Sequence, residues 1–328
     1  MAHAIIDLDY VKYTCAAVGE KRTIVVTHKA SGNTKEFANR TAFYGRDKKS
    51  GWLGERNASR TSPFSIDEFE IEDVQTPEPV ENALYTAKNT IERAIALSGC
   101  KSYVGYLGQG DSFRREQSTI LEYKGNRKEL IKPIHLDALT EYLIGRWKAK
   151  VVTGLEADDW CVIDCHDTDN ILVGVDKDYF GCNVHYLNMN ENKIINCKTF
   201  GQLRLNDKKK VKGFGRQFFY FQVASGDSID NYKANSGCET KWGEKSAYDM
   251  LAGATNDGEA IQALVNVYKT LYPKPTEVEG WRKNIITVDW MYMLTENWNM
   301  ARMFTSPNDK FYDQQDMLNL FEMYGVKS

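Results

Sequence analysis

No CxxC pair occurs among the seven cysteines, and an odd count leaves any disulfide framework incomplete. Cys161, Cys165 and His166 stand close together, but their spacing and the missing fourth ligand do not make a zinc site. Scattered, reduced thiols in an intracellular protein are the expectation. Long hydrophobic runs are missing as well. The longest, such as Ile171-Leu172-Val173, fall far short of a bilayer span, so no membrane partner is expected. The chain enters an apolar run at Ala4 without the basic segment and hydrophobic stretch of a signal peptide, and a cytoplasmic location follows as the expectation. Histidine is scarce, with five in 328 residues. Internal repeats and low-complexity tracts are absent.

What remains is ordinary for a globular chain: 42% hydrophobic and 27% charged residues. The length admits one large domain, or a core plus a smaller one. The net charge of −3 argues against a nucleic-acid partner only if the charges are evenly spread. Taking the ten acids discussed below from the 45 leaves 35, against 42 bases, a remainder of +7. A mildly basic body around an acidic pocket filled with cations suits a phosphate backbone.

Along the chain, Ile5-Ile6-Asp7-Leu8-Asp9 reads as a strand ending in acid. Residues 22–28 and 34–44 flank Ala30-Ser31-Gly32-Asn33, a turn signal, and predict a β-hairpin. Residues 45–80 are polar and rich in Gly, Ser and Pro, which predicts a surface excursion with little regular structure. Leu84, Ala87, Ile91, Ala94 and Ile95 recur at helical spacing. Residues 103–107 look like a second strand, leading to Asp111. Helical stretches are predicted around 117–130, 136–148 and 155–165, and a third strand over 171–175. From about 200 the pattern is mostly helical, after the basic run Lys208-Lys209-Lys210-Val211-Lys212. Strands alternating with helices predict an α/β fold with a mostly parallel central sheet, whose ligands sit outside the carboxyl ends of the strands.

Ten acids then stand out: Asp7 and Asp9, Asp111, Glu156, Asp158 and Asp159, Asp176 and Asp178, and Asp227 and Asp230. Any one of them alone reads as a turn former or a helix cap. Pairs at successive strand ends are harder to dismiss, because packed carboxylates repel and raise one another's pKa, which a cation relieves. Oxygen donors from many segments, without a His or Cys cage, favour Mg2+ or Mn2+. So many carboxylates suit a two-metal site, in which one ion activates water and the other stabilises the leaving oxygen.

Basic residues lie between these acids. Phe113-Arg114-Arg115 follows Asp111, and Lys124 and Arg127 stand three apart, so on a helix they would share a face. By itself that pair is an ordinary solvated face; near a scissile phosphate it would neutralise developing charge. Gly226-Asp227-Ser228-Ile229-Asp230-Asn231 is followed by Trp242-Gly243-Glu244-Lys245, where helical periodicity begins. A glycine turn entering a helix presents N–H groups to phosphate.

The ordered strings IIDLD, GQGDSFR, EYKGNRK, GLEADDW, VDKDY, GDSIDN and WGEKSA resemble the flap endonuclease/5′–3′ exonuclease family, over Asp7 to about residue 250. The helical remainder, including residues 298–303, looks most like the stand-alone exonucleases of T-odd bacteriophages, which would place the chain in a host cytoplasm and in DNA replication or recombination. The resemblance implies a PIN-like core over 1–200, carrying the hairpin insertion at about 22–80 and a helical arch at about 113–150. It implies a helical region over 201–328 with a helix–turn–helix-type DNA clamp near 225–255. It assigns Asp7, Asp111, Glu156, Asp158, Asp159, Asp176, Asp178, Asp227 and Asp230 to two Mg2+ ions, with Mn2+ able to substitute; Asp9 carries over less well. Lys124, Arg127, Asp176 and Asp178 would be catalytic. Arg114, Tyr123, Lys124, Arg127, Lys241, Gly243, Lys245 and Ser246 would meet DNA, Tyr123 by stacking on an unpaired base. The clamp would hold a monovalent cation on main-chain carbonyls, although Lys241-Trp242-Gly243 stands where the family has a Gly-hydrophobic-Gly hairpin.

The implied partner is DNA with 5′ ends, flaps or nicks, with RNA–DNA hybrids as a further substrate. A haloacid-dehalogenase-type phosphohydrolase would explain DLDY and GDSIDN but leaves Asp111, EYKGNRK and the 156–159 acids without a role. An inactive structure-specific DNA-binding protein would gain nothing from so much negative charge beside DNA. A PIN-type ribonuclease shares the core and the metal chemistry.

Overall fold

Ala4-Ile5-Ile6-Asp7 forms a fully buried strand, β1 (Ala4–Asp7), and helix α1 (Leu8–Val18) follows it directly. In this computed structural model residues 2–128 and 130–327 are described; Met1, Glu129 and Ser328, which belong to the expected core, arch and C-terminal region, lie outside them. The contacts group the chain into two units: Lys12–Asn89 with Lys132–Tyr142, and Met1–Val11 with Thr90–Ile131 and Leu143–Ser328. This grouping does not fall at residue 200.

The first of these units is built on β2 (Glu20–His28), β3 (Thr34–Phe37), α2 (Arg40–Tyr44), α3 (Gly51–Asn57) and β4 (Phe69–Pro77), with the start of α4 (Val80–Ser98). The predicted hairpin is present, with β3 paired antiparallel to β2. The expectation of an irregular 45–80 segment is overturned: α3 forms there, and β4 pairs with β2 over nine residues. The missed signal is period two, since Phe69, Ile71 and their neighbours alternate with Glu70 and Glu72. Phe69 and Ile71 join Ile24, Val26, Phe37, Phe43 and Leu53 in one apolar cluster. Phe43 is its fully buried centre, 5.3 Å from the Phe37 ring and 5.2 Å from that of Phe69. Phe43→Ala is expected to destabilise this unit by about 3–5 kcal/mol, measured by denaturant unfolding. An unchanged midpoint would deny Phe43 that role.

In the second unit, β5 (Tyr103–Gly108), α5 (Phe113–Gln117), the end of α6 (Leu136–Trp147), β6 (Lys150–Val152), α7 (Ala157–Cys165), β7 (Ile171–Gly174), β8 (His185–Asn188) and β9 (Lys193–Asn196) follow in order. Their six-stranded sheet runs β6-β5-β1-β7-β8-β9, parallel except for β9. The chain order reverses around β1, so the carboxyl ends of β6, β5, β1 and β7 share one edge, the place where open α/β sheets gather ligands. Helix α7 packs against β1, β5 and β7.

One expectation fails in this unit and another holds in part. Residues 117–130 are not helical among the described residues: α5 stops at Gln117, and only a 3₁₀ turn, Gly125–Arg127, follows. The N–H groups that a helix would bond internally go elsewhere. Those of Thr119 and Ile120 donate to Glu296, that of Tyr123 to the Ser118 hydroxyl, and that of Lys124 to the Asp230 carbonyl. A continuous helix over the expected arch is therefore ruled out among the described residues. Beyond 200 the regular structure is mostly helical, as expected, but not wholly so. Two hairpins appear, β10 (Gln202–Leu205) with β11 (Val211–Phe214), and, after α8 (Arg216–Ser225), α9 (Glu244–Leu251) and α10 (Asp257–Leu271), β12 (Thr276–Glu279) with β13 (Ile285–Val288). Lys208, Lys209 and Lys210 lie in the first hairpin's turn, and Val211 and Lys212 begin β11. Helices α11 (Trp290–Ala301) and α12 (Gln314–Met323) complete the fold. No helix is long and apolar enough to cross a membrane among the described residues.

Candidate metal centre

Two groups of three carboxylates gather in the second unit. Glu156, Asp158 and Asp159 offer oxygens within 4.8 Å of one another, as do Asp178, Asp227 and Asp230. Local structure accounts for both. Glu156 stands at the N-cap position of α7, and Asp158 and Asp159 occupy its first turn, where the helix dipole favours negative charge. The short strand β6 brings Glu156 to the sheet edge. Asp176 and Asp178 lie just past β7, the side chain of Asp176 accepting from the Asp178 N–H at 2.9 Å. Asp227 and Asp230 sit in a tight loop after α8, closed by reciprocal backbone bonds between Asp227 and Tyr232.

Asp7, at the end of β1, is buried and accepts from the Asp9 N–H and from the Tyr179 hydroxyl at 3.0 Å. Burial, together with the charges of Asp9 and Asp176 and against the Tyr179 hydrogen bond, pushes its carboxyl up to about 7. Asp158 is raised well above the usual carboxylate range by burial and by Glu156 and Asp159, and Asp178 by burial and by Asp176 and Asp230. Burial also raises Asp230, against Lys124 and Arg127. Burial would raise Glu156 too, but Lys124 and Arg114 outweigh it and hold it low. Repulsive carboxylates at one edge are what a divalent cation would relieve.

Cations meet both groups. Lys124 reaches Glu156 at 2.5 Å, Arg127 reaches Asp230 at 2.7 Å and Lys177 reaches Asp227 at 2.8 Å. Burial disfavours the Lys124 charge, yet Glu156, Asp158 and Asp230 overcome it and raise its pKa, so one ammonium feels both acidic groups. Lys124 itself adopts a left-handed conformation, φ 54°, which costs a non-glycine residue roughly 1–2 kcal/mol. Bonds between the two loops hold it there: Asn126 donates to the Ser228 carbonyl, Arg127 to Ile229, and Asn231 to Glu122.

Some expected roles do not survive. Arg114 is 1% exposed and cannot meet DNA. It forks onto both oxygens of Asp159, at 2.7 and 2.8 Å, and onto Glu156 at 2.6 Å. Asp159 is fully buried, and its remaining bond comes from the Phe304 N–H. It lies in the acidic group with its oxygens engaged, so it anchors Arg114. Tyr123 is also buried, donating to Asp230 at 3.1 Å, and is closed to stacking on a base. Asp111 lies outside both groups, with a side chain 87% exposed beside Arg115. At the expected clamp, α8, α9 and α10 pack together; Lys241 is exposed, Ser246 half-exposed, and Lys245 pairs with Asp249 one turn on. Gly243 is extended, with open space where a side chain would begin. The Thr240 carbonyl there is taken by Asn235.

Sequence reasoning missed β6, which is only three residues long, one lysine and two valines, and with it the reason Glu156 reaches the edge. It also missed Lys177, Tyr179 and Gln222, the last donating to Asp178. Lys177 and Tyr179 stood inside the string VDKDY and could have been found; nothing marked Gln222. Both groups offer carboxylate oxygens alone, the donor set that fits Mg2+ or Mn2+. No family model matches this chain, and no curated protein matches it either.

Proposed function

We propose that this protein is a divalent-metal-dependent nuclease hydrolysing phosphodiesters near DNA 5′ ends, with the PIN-like core and DNA clamp of the flap endonuclease/5′–3′ exonuclease family. The observation that carries the reading is the pair of carboxylate groups at the parallel sheet's carboxyl edge, both within the field of Lys124. Glu156 and Asp158 would hold one ion; Asp178, Asp227 and Asp230 would hold the other, with Asp7 and Asp176 adding to the negative charge. Bound there, two such ions would polarise the phosphodiester and acidify an attacking water.

The chain's own residues do the rest. Arg114 fixes the Glu156 carboxylate from behind, and the Tyr179 hydroxyl fixes Asp7. Lys124, Arg127 and Lys177 balance the carboxylates here and are the cations placed to meet a phosphate and the charge that grows on it. The product would carry a 5′-phosphate on one side of the cut and a 3′-hydroxyl on the other.

Lys124→Ala is expected to lower the single-turnover rate about 100-fold while Mg2+ binding persists, since the residue neutralises charge and holds no ion. A rate within twofold of wild type would remove Lys124 from the catalytic set. The proposal as a whole is tested on a 5′-labelled flap duplex and a blunt duplex, with Mg2+ and with EDTA. Short 5′ products that need Mg2+ support it, and their lengths separate flap cutting from stepwise digestion. Flap binding without cleavage in Mg2+ or Mn2+ would replace it with an inactive binding protein.

A further inference from the structure

The unit of Lys12–Asn89 with Lys132–Tyr142 has its charges sorted by face. On one side of its three-stranded sheet, three acids stand against one base: Glu36 and Glu72 flank Val25 on neighbouring strands, Glu70 lies beside Thr27, and Lys21 reaches Glu36 at 3.8 Å. The other side is covered by α2, α3 and their connecting loop, and there the signs invert. Residues 46–60 contain five bases, Arg46, Lys48, Lys49, Arg56 and Arg60, against two acids, Asp47 and Glu55. All five bases are exposed, and none forms an ion pair among the described residues.

The loop is shaped so that this charge stays outside. Asp47 turns back on its own backbone, accepting from the N–H groups of Lys49 and Ser50 and from the Ser50 hydroxyl. These bonds close a tight turn with Lys48 at its left-handed corner, φ 58°. The neighbouring rings hold two of these five bases, Arg56 and Arg60, and Lys35 besides. Lys35 and Arg56 lie over Trp52, at 5.1 and 5.3 Å from its centroid, and Arg60 lies over Phe64 at 3.8 Å. Such contacts restrain long side chains that would otherwise lose rotamer freedom on binding a partner. Held, unpaired cations on one face, with acids on the opposite face, complement a polyanion and orient it.

We infer that the α2–α3 face is a second nucleic-acid surface that grips the phosphate backbone of duplex DNA. The inference rests on the nuclease reading for its choice of polyanion. It gives residues 40–60 the work of holding duplex by charge, without reading its sequence.

The test compares full-length wild type with two variants, each checked for an unchanged melting temperature. One is neutralised (Arg46→Gln, Lys48→Gln, Lys49→Gln, Arg56→Gln). The other keeps the charge (Arg46→Lys, Lys48→Arg, Lys49→Arg, Arg56→Lys). Affinity for a fluorescent blunt duplex is measured in EDTA across a salt series, and Mg2+-dependent cleavage is measured at saturating duplex. The neutralised variant is expected to bind at least about tenfold more weakly, with a salt slope shallower by about 3 to 4. The charge-keeping variant should bind like wild type, and saturated cleavage should be unchanged in both. If the neutralised variant binds DNA as wild type does, with the same slope, the inference is overturned, and an acidic protein becomes the partner this face fits. Cleavage by that same sample would leave the nuclease reading standing. If wild type neither binds nor cuts DNA, both fall.

Discussion

Asp178→Asn is expected to abolish turnover and, in the absence of divalent cations, to make the protein more stable. The two effects share one cause. Asp178 is raised well above the usual carboxylate range by burial and by Asp176 and Asp230, so its charge costs folding energy that only a cation returns. Asparagine keeps the shape and the oxygen that accepts from Gln222. Turnover should fall at least about a thousandfold, equivalent to about 4 kcal/mol of transition-state stabilisation. The metal-free melting temperature should rise by about 2 °C or more.

The pH dependence follows from the sign of the shifts. A carboxylate whose folded pKa lies above its unfolded one stabilises the fold below the unfolded value, and that stability is lost as pH rises through the folded one. For Asp7 the window runs from 3.8 up to about 7, and Asp158 and Asp178 act in the same direction. The metal-free protein should therefore lose stability as pH rises from 3.8 to about 7, and Asp178→Asn should flatten that slope. Saturating Mg2+ should stabilise wild type and have much less effect on the variant. Normal turnover in the variant, or a lower metal-free melting temperature, would remove Asp178 from the metal set.

Arg114→Ala should be the most destabilising change near the site. Arg114 is buried between Asp159 and Glu156, and its removal leaves Asp159 without its cation and Glu156 with Lys124 alone. Breaking a buried pair in this way costs about 3–5 kcal/mol, because an uncompensated charge stays behind. Arg114→Lys should recover part of the loss, since one ammonium cannot reproduce the fork onto Asp159. Denaturant unfolding measures the loss, and DNA affinity at low temperature supplies the contrast. An Arg114→Ala protein of normal stability but weakened DNA binding would return Arg114 to the surface role that its position after Asp111 had suggested.

Arg114 also shows what the sequence could not reveal. Neighbouring arginines in a charged stretch read as solvent-facing, and only the tertiary partners, Asp159 at 2.7 Å and Glu156 at 2.6 Å, make one of them a buried anchor. Tyr123 misled for the same reason. The strands were legible because β1, β5 and β7 are apolar and close on acids or glycine, and the sheet edge followed from their order. Part of the acidic set was legible as two clusters, Glu156, Asp158 and Asp159 lying together in one and Asp178, Asp227 and Asp230 in the other. Asp111 fails because the loop after β5 leaves it exposed, which its place behind a strand does not encode. The 117–130 segment fails because its N–H groups find partners remote in sequence, chiefly Glu296 and Asp230. Local periodicity has no access to such bonds.

The central claim, that these two acidic groups form one divalent-cation centre, is tested most directly by titrating Mn2+ into wild type, Asp158→Asn and Asp178→Asn under a calorimeter. Saturable binding to wild type, weakened at least about tenfold in each variant, is the predicted result. No saturable binding, or the same isotherm for all three proteins, would contradict it.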